Sequence, residues 1–199
     1  IASAGARTIV LDVNDEGGEA LVVALKGRGL DVIYRNFDCA EMAKLDVNLS
    51  ALIDEFGCPD AFVNCSYPRT EDWGDSSFKE ITLESLQRNV DIHMNSFAWL
   101  AKRVAEAMVN NANSGSIIQF GSNYGVVGQD LSIYEGTDMG ESMAYAVIKG
   151  GITNLTRLMS SYYGKYNIRV NTLCPGGISG HVAGKSDEQD PLFVKNYCK

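Results

Sequence analysis

The 199-residue sequence predicts one α/β domain, a doubly wound parallel sheet with helices on both faces. Three observations predict it. Short apolar runs rich in β-branched residues recur along the chain, as strands buried on both faces require. Segments with helical apolar spacing separate them, so strand and helix alternate, and right-handed crossovers then build a doubly wound sheet. The length suits a single core, and no linker, repeat or low-complexity tract divides it.

Along the chain, RTIVLDV at 7–13 reads as a buried strand, and EGGEALVVALKGRG at 16–29 as an amphipathic helix ending in glycine. DVIYRNF at 31–37 is the second strand and MAKLDVNLSALIDEFG at 42–57 the second helix. DAFVNCS at 60–66 is a strand, succeeded by one long helix over 82–110. GSIIQFGS at 115–122 is a strand, the segment 144–166 a helix, and IRVNTLCPGG at 168–177 a strand with its turn.

Composition narrows the function. A net charge of -8 leaves no basic patch for nucleic acid or an anionic membrane surface. No apolar run reaches membrane-spanning length and no signal peptide is visible. Five cysteines without a CxxC spacing, and only His93 and His181 beside them, argue against a metal site and for reduced thiols in a cytoplasmic protein.

The chemistry concentrates in AYAVIKGG at 144–151, where Tyr145 and Lys149 stand four apart and share one helix face. A phenol titrates near pH 10 and is a poor base at neutrality, but a neighbouring ammonium favours its ionised form. Such a tyrosine donates a proton to a carbonyl oxygen, or takes one from an alcohol, near pH 7. Ser122, at the carboxyl end of a predicted strand, is placed as a second donor to that oxygen, because ligands of open α/β sheets bind beyond the carboxyl ends of the strands.

Six segments, in order, resemble the short-chain dehydrogenase/reductase family: GARTIVLD at 5–12, NFDCAE at 36–41, DAFVNCS, SIIQFGSNYG at 116–125, YAVIK at 145–149 and IRVNTLCPGGIS at 168–179. The resemblance implies a Rossmann-type dinucleotide-binding domain and an oxidoreductase acting on CH–OH groups. It makes Tyr145 the general acid/base, Lys149 its partner and a ligand of the nicotinamide ribose, and Ser122 the residue that holds the reacting oxygen. Asp12 is implied to bind the adenosine ribose hydroxyls. An acidic side chain there repels a 2′-phosphate and Val13 adds no compensating charge, so NAD(H) is expected over NADP(H). Asp38 and Cys39 are implied near the adenine, Asn64 near the adenosine ribose, and Pro175, Gly176 and Ile178 beside the nicotinamide.

Three departures stand out. The glycine-rich phosphate loop is not among these residues, nor is a first strand, and 1–199 is expected to be part of a longer polypeptide truncated at both ends. NCSY replaces a pattern of small residues, so Ser66 and Tyr67 reshape the junction of cofactor and substrate. His93 stands at the family's helix asparagine, where an imidazole is placed to hold a water that relays protons to Lys149. Asn89 and Asn95 lie nearby, out of register.

The spacing between Ser122 and Tyr145 is long. With NCSYPR and YEGTDM it resembles a narrower group, flagellin modification protein A, of oxidoreductases in surface-glycan biosynthesis. That likeness implies a small-molecule substrate, a sugar or nucleotide-sugar, met by Arg69 and Glu135. Segment 179–197, polar and then amphipathic, is expected to be the substrate lid. Alternatives are a 3-oxoacyl-(acyl-carrier-protein) reductase, which Asp12 and the acidity oppose, and a non-catalytic dinucleotide-binding sensor or scaffold. Family likeness also implies a homodimer or homotetramer; the apolar face of Ile152, Leu155, Leu158 and Met159 suits either an interface or the core.

Overall fold

The computed structural model describes residues 1–178 and 189–199. In chain order its main elements are β1 (Thr8–Asp12), α1 (Asp15–Lys26), β2 (Val32–Asn36), α2 (Leu45–Phe56), β3 (Ala61–Asn64), α3 (Leu83–Asn89), α4 (Ser96–Asn110), β4 (Gly115–Phe120), α5 (Met143–Tyr163), β5 (Ile168–Leu173) and α6 (Pro191–Tyr197). The predicted strands and helices are present near their predicted bounds, except the long helix expected over 82–110.

All strand pairs are parallel. β1 pairs with β2 in register Ile9 opposite Ile33, while β3, β4 and β5 form a second ladder with Val63 opposite Ile118 and Ile118 opposite Asn171. The expected single sheet is thus present as two parallel sheets, of two and three strands. They share one core. Leu11 of β1 and Phe37 after β2 pack in the same cluster as Leu100 and Val104 of α4, Ile117 of β4 and Val170 of β5. On α5, Ile152 and Met159 are core residues at 1% and 5% exposure, Leu155 packs against that core, and Leu158 alone of its face is open at 65%.

The long helix expected over 82–110 is broken. Between α3 and α4 the backbone is a π-helix over Val90–Asn95. Each such turn inserts extra backbone and rotates the helix beyond it, and π-turns are common at functional sites. Ser96 Oγ donates back to the carbonyls of Ile92 (2.7 Å) and His93 (3.0 Å), securing the turn. Thr82 caps α3 by accepting from the Ser85 amide at 3.1 Å.

The insertion before Tyr145 is ordered against α6. Tyr134 stacks on Phe193 at 5.9 Å, and Asn196 Nδ2 donates to the Glu135 carbonyl at 3.0 Å. Asp190 caps α6 and Pro191 occupies its first turn, where no amide is needed. The first part of the expected lid, 179–188, lies outside the described residues.

Candidate active site

Tyr145 and Lys149 lie in the first turns of α5, and the helix start fixes them. Ser142 Oγ accepts the Tyr145 amide at 3.1 Å as the helix cap, Ser76 Oγ meets Ser142 Oγ at 2.6 Å, and the Ser76 carbonyl accepts the Met143 amide at 2.8 Å. Two glycines permit close approach. A Cβ on Gly151 would fall 2.2 Å from Met94 Sδ, so α5 can lie on the π-turn, and a Cβ on Gly125 would fall 2.5 Å from the Lys149 carbonyl, so the loop after Ser122 can lie on α5.

The Lys149 ammonium is buried, with the residue 3% exposed. It donates to the Phe120 carbonyl at the end of β4 (2.9 Å) and meets His93 Nε2 at 3.3 Å. Aromatic faces complete its surroundings: Phe97 at 5.3 Å, Tyr67 at 5.6 Å and Tyr145 at 5.7 Å from nitrogen to ring centroid. These partners are a carbonyl, an imidazole and three rings, none anionic. Burial therefore lowers the Lys149 pKa to about 8, opposed weakly by the Cys174 thiol. Of its three N–H donors, two are engaged by these contacts and one remains.

His93 is fully buried. Burial first, and the Lys149 charge second, lower its pKa to about 3, so its ring is neutral and Nε2 accepts from the ammonium. The two groups touch directly, so the water expected between them has no place there. The π-turn that carries His93 delivers it to Lys149, and no sequence signal marks that turn. Asn89, buried beside it, is a structural tie: its side chain accepts the Thr70 amide (3.0 Å) and donates to the Ser85 carbonyl (2.9 Å).

Ser122 is buried at 4% and caps the short turn after β4, accepting the Tyr124 amide at 3.2 Å and donating to Asn123 Oδ1 at 3.1 Å. The next amide, of Asn123, donates to the Pro175 carbonyl at 3.0 Å and joins this loop to the turn after β5. There the Gly177 amide donates to the Tyr197 hydroxyl, and Gly176 lies against the same hydroxyl. Ile178 is 70% exposed.

The implied cofactor residues occupy the carboxyl ends of the strands. Asp12 ends β1, exposed, with Oδ1 accepting the Asn14 amide at 3.0 Å. Asp38, also exposed, accepts the Ala40 amide at 2.8 Å and forms a turn. Cys39 is half-buried beside Ser66, and burial raises its thiol pKa. Asn64 ends β3 and is 4% exposed; Oδ1 accepts from Ser66 Oγ at 2.8 Å, but its buried Nδ2 finds no partner among the described residues. An unpaired buried donor is costly, and a ligand hydroxyl would satisfy it. A nicotinamide dinucleotide fits this set: two strand-end carboxylates, an orphan amide donor and one remaining lysine N–H.

Of the implied substrate residues, Arg69 sets its guanidinium 5.7 Å from the Tyr67 ring. Glu135 is exposed on the insertion and its carbonyl is held by Asn196. On the insertion, the Tyr134 phenol is pushed up to about 12 by burial first and more weakly by neighbouring groups, Tyr124 foremost. Trp73 and Phe97, beside Lys149 and Tyr145, carried no sequence signal. Among the described residues no cluster of three metal-capable side chains occurs, and no helix is long and apolar enough to cross a membrane.

The sequence is similar to those of known proteins. Post-translational flagellin modification protein A of Campylobacter coli is 29% identical over 192 residues, which are 96% of this chain and 72% of that protein. 2,5-Dichloro-2,5-cyclohexadiene-1,4-diol dehydrogenase of Sphingobium indicum is 30% identical over 191 residues, 96% of this chain and 70% of that one. In fold alone, the chain is similar to the crystal structure of a gluconate 5-dehydrogenase from Burkholderia cenocepacia in complex with NADP and tartrate. That match has a TM-score of 0.72 at 22% identity and covers 88% of this chain and 63% of that chain, so the present chain spans less than two thirds of its length. Residues 1–191 match the family described as short chain dehydrogenase, and the chain belongs to it.

Proposed function

We propose that the protein is an NAD(H)-dependent oxidoreductase that interconverts an alcohol and a ketone on a small polar substrate. The observation that carries this reading is the Lys149 ammonium, buried, 5.7 Å from the Tyr145 ring and without an anionic partner among the described residues. A fixed positive charge there stabilises negative charge developing on the phenol oxygen during proton transfer. Tyr145 gives its proton to the carbonyl oxygen in reduction and takes it back from the alcohol in oxidation. Ser122 orients that oxygen, which requires its hydroxyl to turn from Asn123 to the substrate. A bound nicotinamide dinucleotide supplies the hydride chemistry. Asp12, Asp38, Cys39, Asn64, Lys149, Pro175, Gly176 and Ile178 hold it, and the exposed Asp12 carboxylate followed by neutral Val13 and Asn14 favours NAD(H) over NADP(H).

Likeness to a flagellin modification protein supports a sugar or nucleotide-sugar substrate, met by Arg69 and Glu135. Of the expected lid over 179–197, the described part, α6, is anchored on the insertion. The protein works in the cytoplasm as a homodimer or homotetramer, with exposed Leu158 and Tyr162 of α5 available to an interface.

The test uses the full-length protein with NADH and NADPH against nucleotide-sugars, cyclic diols and acyl thioesters. Turnover of a sugar with NADH is expected, and Tyr145→Phe is expected to lower kcat by about 10²–10⁴-fold. Acyl-thioester reduction with NADPH would replace this reading. Tight cofactor binding without turnover of any substrate would leave a sensor or scaffold, and an unchanged rate in Tyr145→Phe would overturn Tyr145 as the acid/base.

A further inference from the structure

Two departures from the family pattern, Tyr67 in place of a small residue and His93 at the asparagine position, meet in space. Their rings contact edge to face, centroids 5.2 Å apart at 84°. Both also touch the same cation, His93 through Nε2 at 3.3 Å and Tyr67 through its face at 5.6 Å. Trp73 braces the pair, 5.8 Å from Tyr67 and 6.5 Å from His93. The positions differ in depth: His93 is fully buried, whereas Tyr67 is 40% exposed and Lys149 beneath it only 3%. Tyr67 is therefore the outer wall between the ammonium and solvent, and His93 the inner one.

We propose that Tyr67 and His93 are a coupled pair of positioning residues that close an aromatic box around the Lys149 ammonium and exclude water from it. Among the described residues, the groups facing that ammonium are the Phe120 carbonyl of β4, Phe97 of α4, Tyr145 of α5, the Cys174 thiol after β5, His93 of the π-turn and Tyr67 after β3. Arg69, over the Tyr67 ring at 5.7 Å, acts on the Tyr67 phenol, lowering its pKa against the larger effect of burial. None of these groups offers Lys149 a carboxylate, so its protonation depends on how dry the box is. The Tyr67 phenol is itself pushed up to about 12 by burial and by Tyr145, and remains a neutral wall throughout the working range. Because each ring supports the other, removing either opens the same space, and two removals are not additive. The proposal rests on the reading of Tyr145 and Lys149 as the reacting pair only for its catalytic consequence.

The experiment tracks the Lys149 side chain by NMR in full-length protein labelled with ¹³C-lysine, its resonance assigned with Lys149→Arg. The wild-type midpoint is expected near pH 8. Tyr67→Ala and His93→Asn are each expected to raise it by about one unit, a tenfold change in proton affinity, as water enters. The double variant is expected to rise by clearly less than the sum of the two. Tyr67→Phe, which keeps the ring, is expected to titrate with the wild type. An unmoved midpoint in Tyr67→Ala, an equal shift in Tyr67→Phe, or strict additivity would overturn the proposal. If Tyr67→Ala does not fold, Tyr67→Val removes the ring while filling part of its volume, and the same rise is required of it. The readout is a titration, so a chain without turnover whose midpoint moves as described loses only the dehydrogenase reading.

Discussion

At the scale of single residues, Lys149 is the most consequential side chain because it is charged where charge is costly. Its pKa is about 8 in the folded chain against 10.5 when free. At every pH below 8 the folded state carries the full penalty, about 3 kcal/mol, and stability rises with pH between 8 and 10.5 because the unfolded chain then holds more protons. Lys149→Met keeps the volume and removes the charge. It is expected to abolish turnover while stabilising the fold by about 1–2 kcal/mol at pH 7, read as a rise in Tm of roughly 2–8 °C. A lower Tm would mean that the carbonyl and aromatic contacts outweigh desolvation.

At the scale of elements, the site depends on where two helices begin and turn. The cap at Ser142 sets the first turn of α5, and Tyr145 is the residue whose amide it receives. Ser142→Ala is expected to cost about 1 kcal/mol, as caps do, and to lower kcat because Tyr145 loses its fixed position. Ser142→Thr, which retains the hydroxyl, should recover most of both. Unchanged stability and rate in Ser142→Ala would show that the Ser76 contact suffices. The π-turn has the same kind of importance: it carries His93 to Lys149 while leaving α4 free to place Leu100 and Val104 in the core.

At the scale of the whole molecule, pH acts through the buried imidazole. His93 titrates near 3 in the folded chain and near 6.5 when free. Between those values the unfolded chain binds the extra proton, so stability is complete above pH 6.5 and falls as pH drops, by about 2 kcal/mol at pH 5. Urea titrations at pH 5 and 7 are expected to differ by about that amount in the wild type and by much less in His93→Gln. An equal difference in both would place the acid sensitivity on other groups.

The sequence by itself determined the alternation of parallel strands and helices, the family, and the helix that carries Tyr145 and Lys149 four residues apart. These depend on local pattern: apolar runs, glycine stops and a four-residue spacing that any helix places on one face. It also put His93 and Tyr67 under suspicion, as residues of the wrong size at familiar positions. Only the tertiary structure decided that these two touch, that the imidazole meets the lysine directly, and that Trp73 and Phe97 stand around them. It likewise divided the strands into two sheets, turned Ile152 and Met159 into the core, and gave Asp38 and Ser122 turn-forming bonds. The reason is physical: spacing along a chain fixes which residues share a face, whereas the meeting of residues 26 and 56 positions apart depends on the packing of helices and on one π-turn that the sequence does not announce.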